Sequence, residues 1–223
     1  MLCLLATVVA CGAFAADKPA GDYAGFSHRH QVGLRLGVWS NMGSKPLKAD
    51  TLDGSYYETD VKEGSFYFEG YFGYRLVPAL MVELAAGIVN RGDVSINDNG
   101  QSIFGNLIVY PIQLRAKLYP LAGISNRFQP YVMGGGGIYH GRNSIQFTSS
   151  VDPFVTFVGE SQTDLNFVLG GGVDCSVAHN IALDANVAYM PIHFSKDLIS
   201  VRNYDALTVT VGIKYVLPFT TRR

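Results

Sequence analysis

Residues 207–217 have the sequence LTVTVGIKYVL, in which apolar and polar side chains alternate. Because successive side chains of a β-strand point to opposite faces, this period of two predicts a strand with one apolar face and one polar face. The apolar phase carries Leu207, Val209, Val211, Ile213, Tyr215 and Leu217, and the polar phase includes Thr208, Thr210 and Lys214. The charged residue of the stretch is thereby kept off the apolar face.

The same period of two recurs along the chain and predicts eight strands. They lie near 30–40, 64–76, 80–91, 106–119, 129–141, 163–177, 181–193 and 205–219. In the alternating runs of these segments, no charged residue falls on the apolar phase. A lysine or arginine that faces lipid at mid-depth costs about 2–4 kcal/mol, so this separation is typical of strands that cross a bilayer. A soluble barrel or sandwich would instead carry many Lys and Glu residues on its wet face.

The composition agrees with a membrane barrel. Of the 223 residues, 48% are hydrophobic and 16% are charged, well below the roughly 25% charged residues of an ordinary soluble domain. No run after residue 20 approaches the ~18 consecutive apolar residues of a spanning helix. With 17 Lys and Arg against 18 Asp and Glu, the chain has no excess of basic residues, so we expect no nucleic-acid partner.

The connections between the predicted strands alternate in length. The long ones lie near 41–63, 92–105, 142–162 and 194–204, and the short ones at 77–79, 120–128 and 178–180. In bacterial outer-membrane barrels, short turns face the periplasm and long loops face the outside. The sequence therefore predicts an all-β fold, an eight-stranded antiparallel transmembrane β-barrel with both termini in the periplasm.

The first residues predict export across the inner membrane. Residues 2–14 are apolar, and Ala13-Phe14-Ala15 has the small-x-small pattern that a signal peptidase cleaves. We therefore assign residues 1–15 to a signal peptide and residues 16–223 to one barrel domain in the bacterial outer membrane. A lipoprotein signal that ends at Cys11 is the alternative.

Charged residues on the inward phase predict a paired network in the lower part of the lumen. They are Arg35, Glu69, Arg75, Glu83, Arg115, Lys117, Asp174, Asp184 and Lys214. Five positive charges against four negative ones indicate mutual pairing, because an open ion path would favour one sign.

Apolar residues occupy the inward phase of the other half. They are Trp39, Tyr67, Val89, Val109, Val168 and Met190. An eight-stranded barrel has room either for side chains or for one small ligand, so these residues predict an apolar ligand site or a filled lumen. Pro111 and Pro191 each remove a ladder donor and mark local breaks in the wall.

The sequence signals for an enzyme or a metal site are weaker than those for a membrane barrel. His193-Phe194-Ser195 resembles the catalytic pair of lipid A deacylase barrels, and Asp205 could orient the histidine for ester cleavage. The glycines at 134–137 are not followed by the Lys-Ser/Thr of a phosphate loop. We expect no metal, no cofactor and no enzymatic activity, with this esterase as the alternative.

Several short motifs resemble known outer-membrane barrels. Thr210, Gly212, Tyr215 and Leu217 resemble the signal that the barrel-assembly machinery recognises on a last strand. Residues 81–84 (MVEL), 128–132 (FQPYV), 169–174 (LGGGVD) and 212–215 (GIKY) are similar to segments of the outer membrane protein W (OmpW) family.

The OmpW resemblance implies a monomer, surrounded by outer-membrane lipid and lipopolysaccharide. Its narrow apolar lumen would act as a passive conduit or binder for small hydrophobic molecules, passing them sideways into the membrane. A structural or surface-interaction barrel that acts through its extracellular loops is the alternative function.

Overall fold

A computed structural model describes residues 30–43, 48–50, 56–61, 63–98, 101–122, 128–147, 156–178, 180–198 and 201–217. The expected signal peptide at 1–15, together with Cys11, lies outside these residues. Within the described ranges, no helix is long and apolar enough to cross a membrane.

The described residues form twelve β-strands. Their bounds are β1 His30–Asn41, β2 Lys48–Asp50, β3 Tyr56–Val61, β4 Gly64–Val77, β5 Leu80–Asp98, β6 Gln101–Leu118, β7 Phe128–Phe147, β8 Thr156–Ala178, β9 Ile181–Met190, β10 His193–Leu198, β11 Val201–Asn203 and β12 Ala206–Val216.

Eight of these strands close a barrel. The antiparallel order is β1, β4, β5, β6, β7, β8, β9 and β12, and β12 pairs with β1. β2 and β3 add to the edge of β5, while β10 and β11 form a hairpin of their own. The predicted eight-stranded antiparallel barrel is confirmed.

The barrel is apolar on its outer surface. On β1, Leu34 is 51% exposed and Val38 is 53% exposed, while Arg35 and Trp39 on the opposite phase are buried inside. Leu165 on β8 and Ile213 on β12 are likewise exposed on the outside. A soluble barrel would bury this apolar phase, so the arrangement suits a lipid environment.

Two of the predicted long loops are largely strand. The β5–β6 ladder continues to Asp98↔Gln101, and the β7–β8 ladder continues to Phe147↔Thr156. The predictions of loops near 92–105 and 142–162 were therefore wrong. Beyond the bilayer both faces of a strand meet water, so the apolar alternation that predicts strands is no longer required there.

The seventh predicted strand is shorter than expected. β9 ends at Met190, and the predicted strand end at 191–193 and the loop at 194–204 contain β10 and β11 instead. Pro191 lacks the N–H that would continue the ladder, which explains the stop.

Candidate functional site in the barrel lumen

The lumen has two chemically different halves. We call the half nearest the short β4–β5 turn at Pro78 and Ala79 the lower lumen, and the opposite half, nearest β10 and β11, the upper lumen. The nine charged residues predicted to pair lie in the lower lumen and at the middle of the barrel. The six predicted apolar residues lie above them, together with a further buried cation, Arg91.

Arg35 on β1 is the centre of the lower lumen. Its Nε donates to Asp184 Oδ1 at 2.5 Å, and its Nη1 donates to Glu69 Oε1 at 2.6 Å. Its Nη2 donates to Glu83 Oε2 at 2.8 Å. One guanidinium thus joins carboxylates from three other strands.

Arg115 and Lys117 on β6 extend this network. Arg115 is the cross-strand partner of Glu83 and lies 3.2 Å from it, and it also donates to Glu69. Lys117 Nζ lies 2.7 Å from Glu83 Oε2. Glu83 therefore contacts three cations.

Asp174 anchors the part of the network nearest the short turns. It accepts hydrogen bonds from Lys214 and from the Tyr119 hydroxyl, the latter at 2.8 Å. Arg75 stacks on the Tyr119 ring at 4.0 Å and donates to Gln129.

The charged side chains of the lower lumen are buried. None of the nine inward charged residues is more than 4% exposed; they are Arg35, Glu69, Arg75, Glu83, Arg115, Lys117, Asp174, Asp184 and Lys214. Buried charges of both signs contact one another here, whereas an open ion path would be lined by charges of one sign.

The six predicted apolar residues belong to one buried cluster, which continues beyond them to Met81 and Tyr119 in the lower lumen. None of the six is more than 1% exposed; they are Trp39, Tyr67, Val89, Val109, Val168 and Met190. Trp39 and Tyr67 make an edge-to-face contact with centroids 5.2 Å apart. In this conformation these side chains are buried against one another, so a ligand must displace some of them.

The β10–β11 hairpin covers the upper lumen. Ile192, Phe194 and Tyr204 are buried in the same apolar cluster, and the Phe194 and Tyr204 rings pack edge to face at 5.3 Å. The sequence interpretation treated this segment as part of a polar loop. The apolar residues Ile192, Phe194 and Tyr204 were the signal that could have revealed a cover.

The catalytic relay considered above is not formed. The Ser195 hydroxyl donates to Asp164 Oδ1 at 2.5 Å, and His193, which is 61% exposed, lies 3.7 Å from Asp205. The two residues share a face of β10, but β10 runs beside β8, where Asp164 accepts the hydrogen bond of the serine hydroxyl. Within the described residues, no three His, Cys, Asp or Glu side chains form a group that could hold a metal ion.

The backbone ladders of the barrel wall are interrupted next to each of the two prolines. In the β5–β6 ladder, pairing stops at Ala86↔Ile112 and resumes at Val89↔Val109, next to Pro111. The β8–β9 ladder ends at Leu169↔Tyr189, below Pro191.

Above the second break, side chains replace the backbone ladder. His193 N donates to Asn166 Oδ1 at 3.1 Å, and Ser195 N donates to Asp164 Oδ2 at 2.9 Å. We call this β8–β10 contact the side-chain seam.

The candidate assembly motif lies on the last strand as its alternation predicts. Thr210 is buried on the lumen side, and Tyr215 and Leu217 are exposed on the outer face. Gly212 approaches β1 closely, since a Cβ there would lie 2.3 Å from the Leu34 carbonyl oxygen.

The family model for the outer membrane protein β-barrel domain matches residues 1–216. The chain belongs to this family. The family and the apolar outer surface support a location in the outer membrane. No curated protein sequence matches it significantly.

Three solved structures are similar to this chain. Outer membrane protein OprG from Pseudomonas aeruginosa is 19% identical with a TM-score of 0.55, over 87% of this chain and 99% of that chain. The attachment invasion locus protein Ail of Yersinia pestis is 17% identical with a TM-score of 0.49, over 85% and 97%. AlkL is 14% identical with a TM-score of 0.47, over 93% and 98%. At these identities, the OprG likeness supports the fold alone.

Proposed function

We propose that this outer-membrane barrel is a passive, non-enzymatic conduit that binds small apolar molecules in its upper lumen and releases them sideways into the membrane. The observation that carries the proposal is the apolar cluster around Trp39 and Met190 above the buried ion network around Arg35. An apolar solute gains free energy by leaving water for the cluster, and gains nothing by moving on among paired ions.

The side-chain seam is the exit that we favour. At Pro111 the β6–β7 ladder is continuous, and the β5–β6 ladder resumes two residues further on, so that gap is enclosed. Next to Pro191, by contrast, β8 and β10 are joined by hydrogen bonds from Ser195 and His193 to side chains of β8. These hydrogen bonds to side chains can break and re-form while the backbone ladders of the barrel stay intact.

The OmpW resemblance and the expected partners belong to the same proposal. We propose a monomer in contact with lipopolysaccharide, inserted by the barrel-assembly machinery through Tyr215 and Leu217 after removal of residues 1–15. The exposed positions of Tyr215 and Leu217 support such recognition, because both side chains are accessible from the outer face.

Binding of an apolar solute is expected to shift the emission of Trp39, the only tryptophan of the chain. A medium-chain alcohol such as octanol, titrated into the refolded protein, should give a saturable shift because it must contact the cluster that surrounds Trp39. Met190→Arg should abolish the shift, since it places a charge in the apolar cluster.

Met42→Arg is the matched control, because Met42 is exposed at the edge of the barrel. It should keep the shift. An emission that octanol leaves unchanged at saturating concentration would rule out the ligand site and favour a role for the surface.

Locking the side-chain seam is expected to slow release. In an Asp164→Cys/Ser195→Cys variant, oxidation should tie β8 to β10, and stopped-flow mixing with empty vesicles should show slower recovery of Trp39 emission. Reduction should restore the parent rate. The pair Ile112→Cys/Ile138→Cys, partners in an intact ladder, should leave the rate unchanged. Equal rates before and after oxidation of the seam variant would place the exit elsewhere.

A second function is favoured by the length of the β7–β8 hairpin. β7 has 20 residues and β8 has 23, whereas a tilted strand needs only about 9–11 residues to cross a bilayer. The excess length projects beyond the membrane and supports a surface-interaction role. Removal of the tip of this hairpin would abolish such an interaction without changing the response of Trp39 to octanol.

A further inference from the structure

Arg91 on β5 is a buried cation in the upper lumen. Its side chain is fully buried, and its Nη2 donates to Asn41 Oδ1 at 2.9 Å. Its Nε and Nη1 are buried without a hydrogen-bond partner. The guanidinium lies 5.4 Å from the centroid of the Trp39 ring.

Arg91 differs from the cations of the lower lumen in its lack of a carboxylate partner. Arg35, Arg115, Lys117 and Lys214 each contact at least one carboxylate. In the part of the chain that the structure describes, no carboxylate pairs with Arg91. Taking a cation out of water without a counter-charge costs several kcal/mol, so Arg91 is a group that lacks its partner.

Two neutral donors are in the same situation. Trp39 Nε1 and Ser65 Oγ are both buried without a hydrogen-bond partner, and Trp39 and Ser65 are cross-strand partners. An indole N–H and a guanidinium can each donate hydrogen bonds but cannot accept them. A carboxylate accepts at both oxygens and would satisfy this set better than any neutral group.

The residues around Arg91 indicate which group a bound carboxylate would carry. Trp39 belongs to the apolar cluster that also contains Val89 and Met190, so an anion held at Arg91 has apolar side chains directly beside it. We propose that Arg91, with Trp39, forms a carboxylate-binding site, and that its ligands are monocarboxylates with an apolar tail.

This inference rests on the proposed function and narrows its substrate class. The donors are covered by the packed cluster, which includes Phe194 and Tyr204 of the β10–β11 hairpin segment. The hairpin therefore has to move when such a ligand enters.

The test compares octanoate with neutral molecules of the same length. Trp39 emission of the refolded wild-type protein is titrated with octanoate, octanamide, octanol and acetate, and free concentrations are measured because their partition into detergent differs. Octanoate should bind about tenfold or more tightly than octanamide, as expected for a charged hydrogen bond in a buried site. Acetate should bind far more weakly, because it lacks the tail.

Arg91→Gln should remove the preference for octanoate over octanamide, because glutamine has no charge to pair with the carboxylate. Arg142→Gln, the same change at an exposed arginine of β7, should keep the preference. If Arg91→Gln does not fold, the comparison of octanoate with octanamide in the wild-type protein decides alone.

Each outcome bears on a different claim. Octanol binding with no preference for octanoate over octanamide would overturn the carboxylate site and leave the proposed function standing. Acetate that binds as tightly as octanoate would overturn the apolar-tail ligand class. A Trp39 emission that none of the four molecules changes would overturn the proposed function together with this inference.

Discussion

Replacing Glu83 by glutamine is expected to lower the free energy of unfolding by about 3–5 kcal/mol, the cost of leaving a buried charge without its partner. Glu83 is completely buried and lies within ion-pair distance of Arg35, Arg115 and Lys117. Glutamine has nearly the same shape but no charge, so three cations would share the remaining carboxylates.

Urea unfolding of the refolded barrel in lipid vesicles measures this loss. Glu63→Gln is the control, because Glu63 is exposed just before β4 and the same chemical change there should leave the midpoint unchanged. Equal midpoints for Glu83→Gln and the parent would contradict the paired network.

Gly137→Ala is expected to prevent the barrel from closing. A Cβ at Gly137 would lie 2.2 Å from the Ile112 carbonyl oxygen and 2.7 Å from Gln113 Cα. Both are backbone atoms of β6, so β6 and β7 would have to part to make room.

The adjacent glycine supplies the control. A Cβ at Gly136 meets its nearest atom, the Asn166 carbonyl oxygen, at the ordinary contact distance of 3.5 Å. Gly136→Ala should fold like the parent, and Gly137→Ala should lack the faster electrophoretic migration of an unheated, folded barrel. Normal folding of both variants would show that the strands adapt more easily than these distances indicate.

The fold could be predicted from sequence because lipid imposes a strict rule on each strand. Alternation along residues 207–217 indicates a strand. The charged residues Arg35 and Lys214 lie on the polar phase, and this shows which face of each strand points into the lumen. The rule no longer applies where strands leave the bilayer, which is why the upper parts of β5 to β8 were predicted as loops.

The lumen could be predicted only in part. The inward phase identifies which residues share the interior, but the choice of partners depends on register, such as Arg35 opposite Glu69. Arg91 continues the inward phase of Glu83 and Val89, so the alternation could have identified it, but as the last residue of the predicted strand 80–91 it was left out. The Ser195–Asp164 contact depends on the path of β10 along β8, which local sequence does not encode.

The central claim is that an apolar solute occupies the lumen above the ion network, and quenching of Trp39 by bromine tests it most directly. Trp39 is fully buried inside the barrel, so brominated phospholipid should leave its emission unchanged. A brominated medium-chain alcohol should quench it saturably, because bromine quenches an indole only at close range. Quenching by the lipid alone, or by neither compound, would contradict a solute site in the upper lumen.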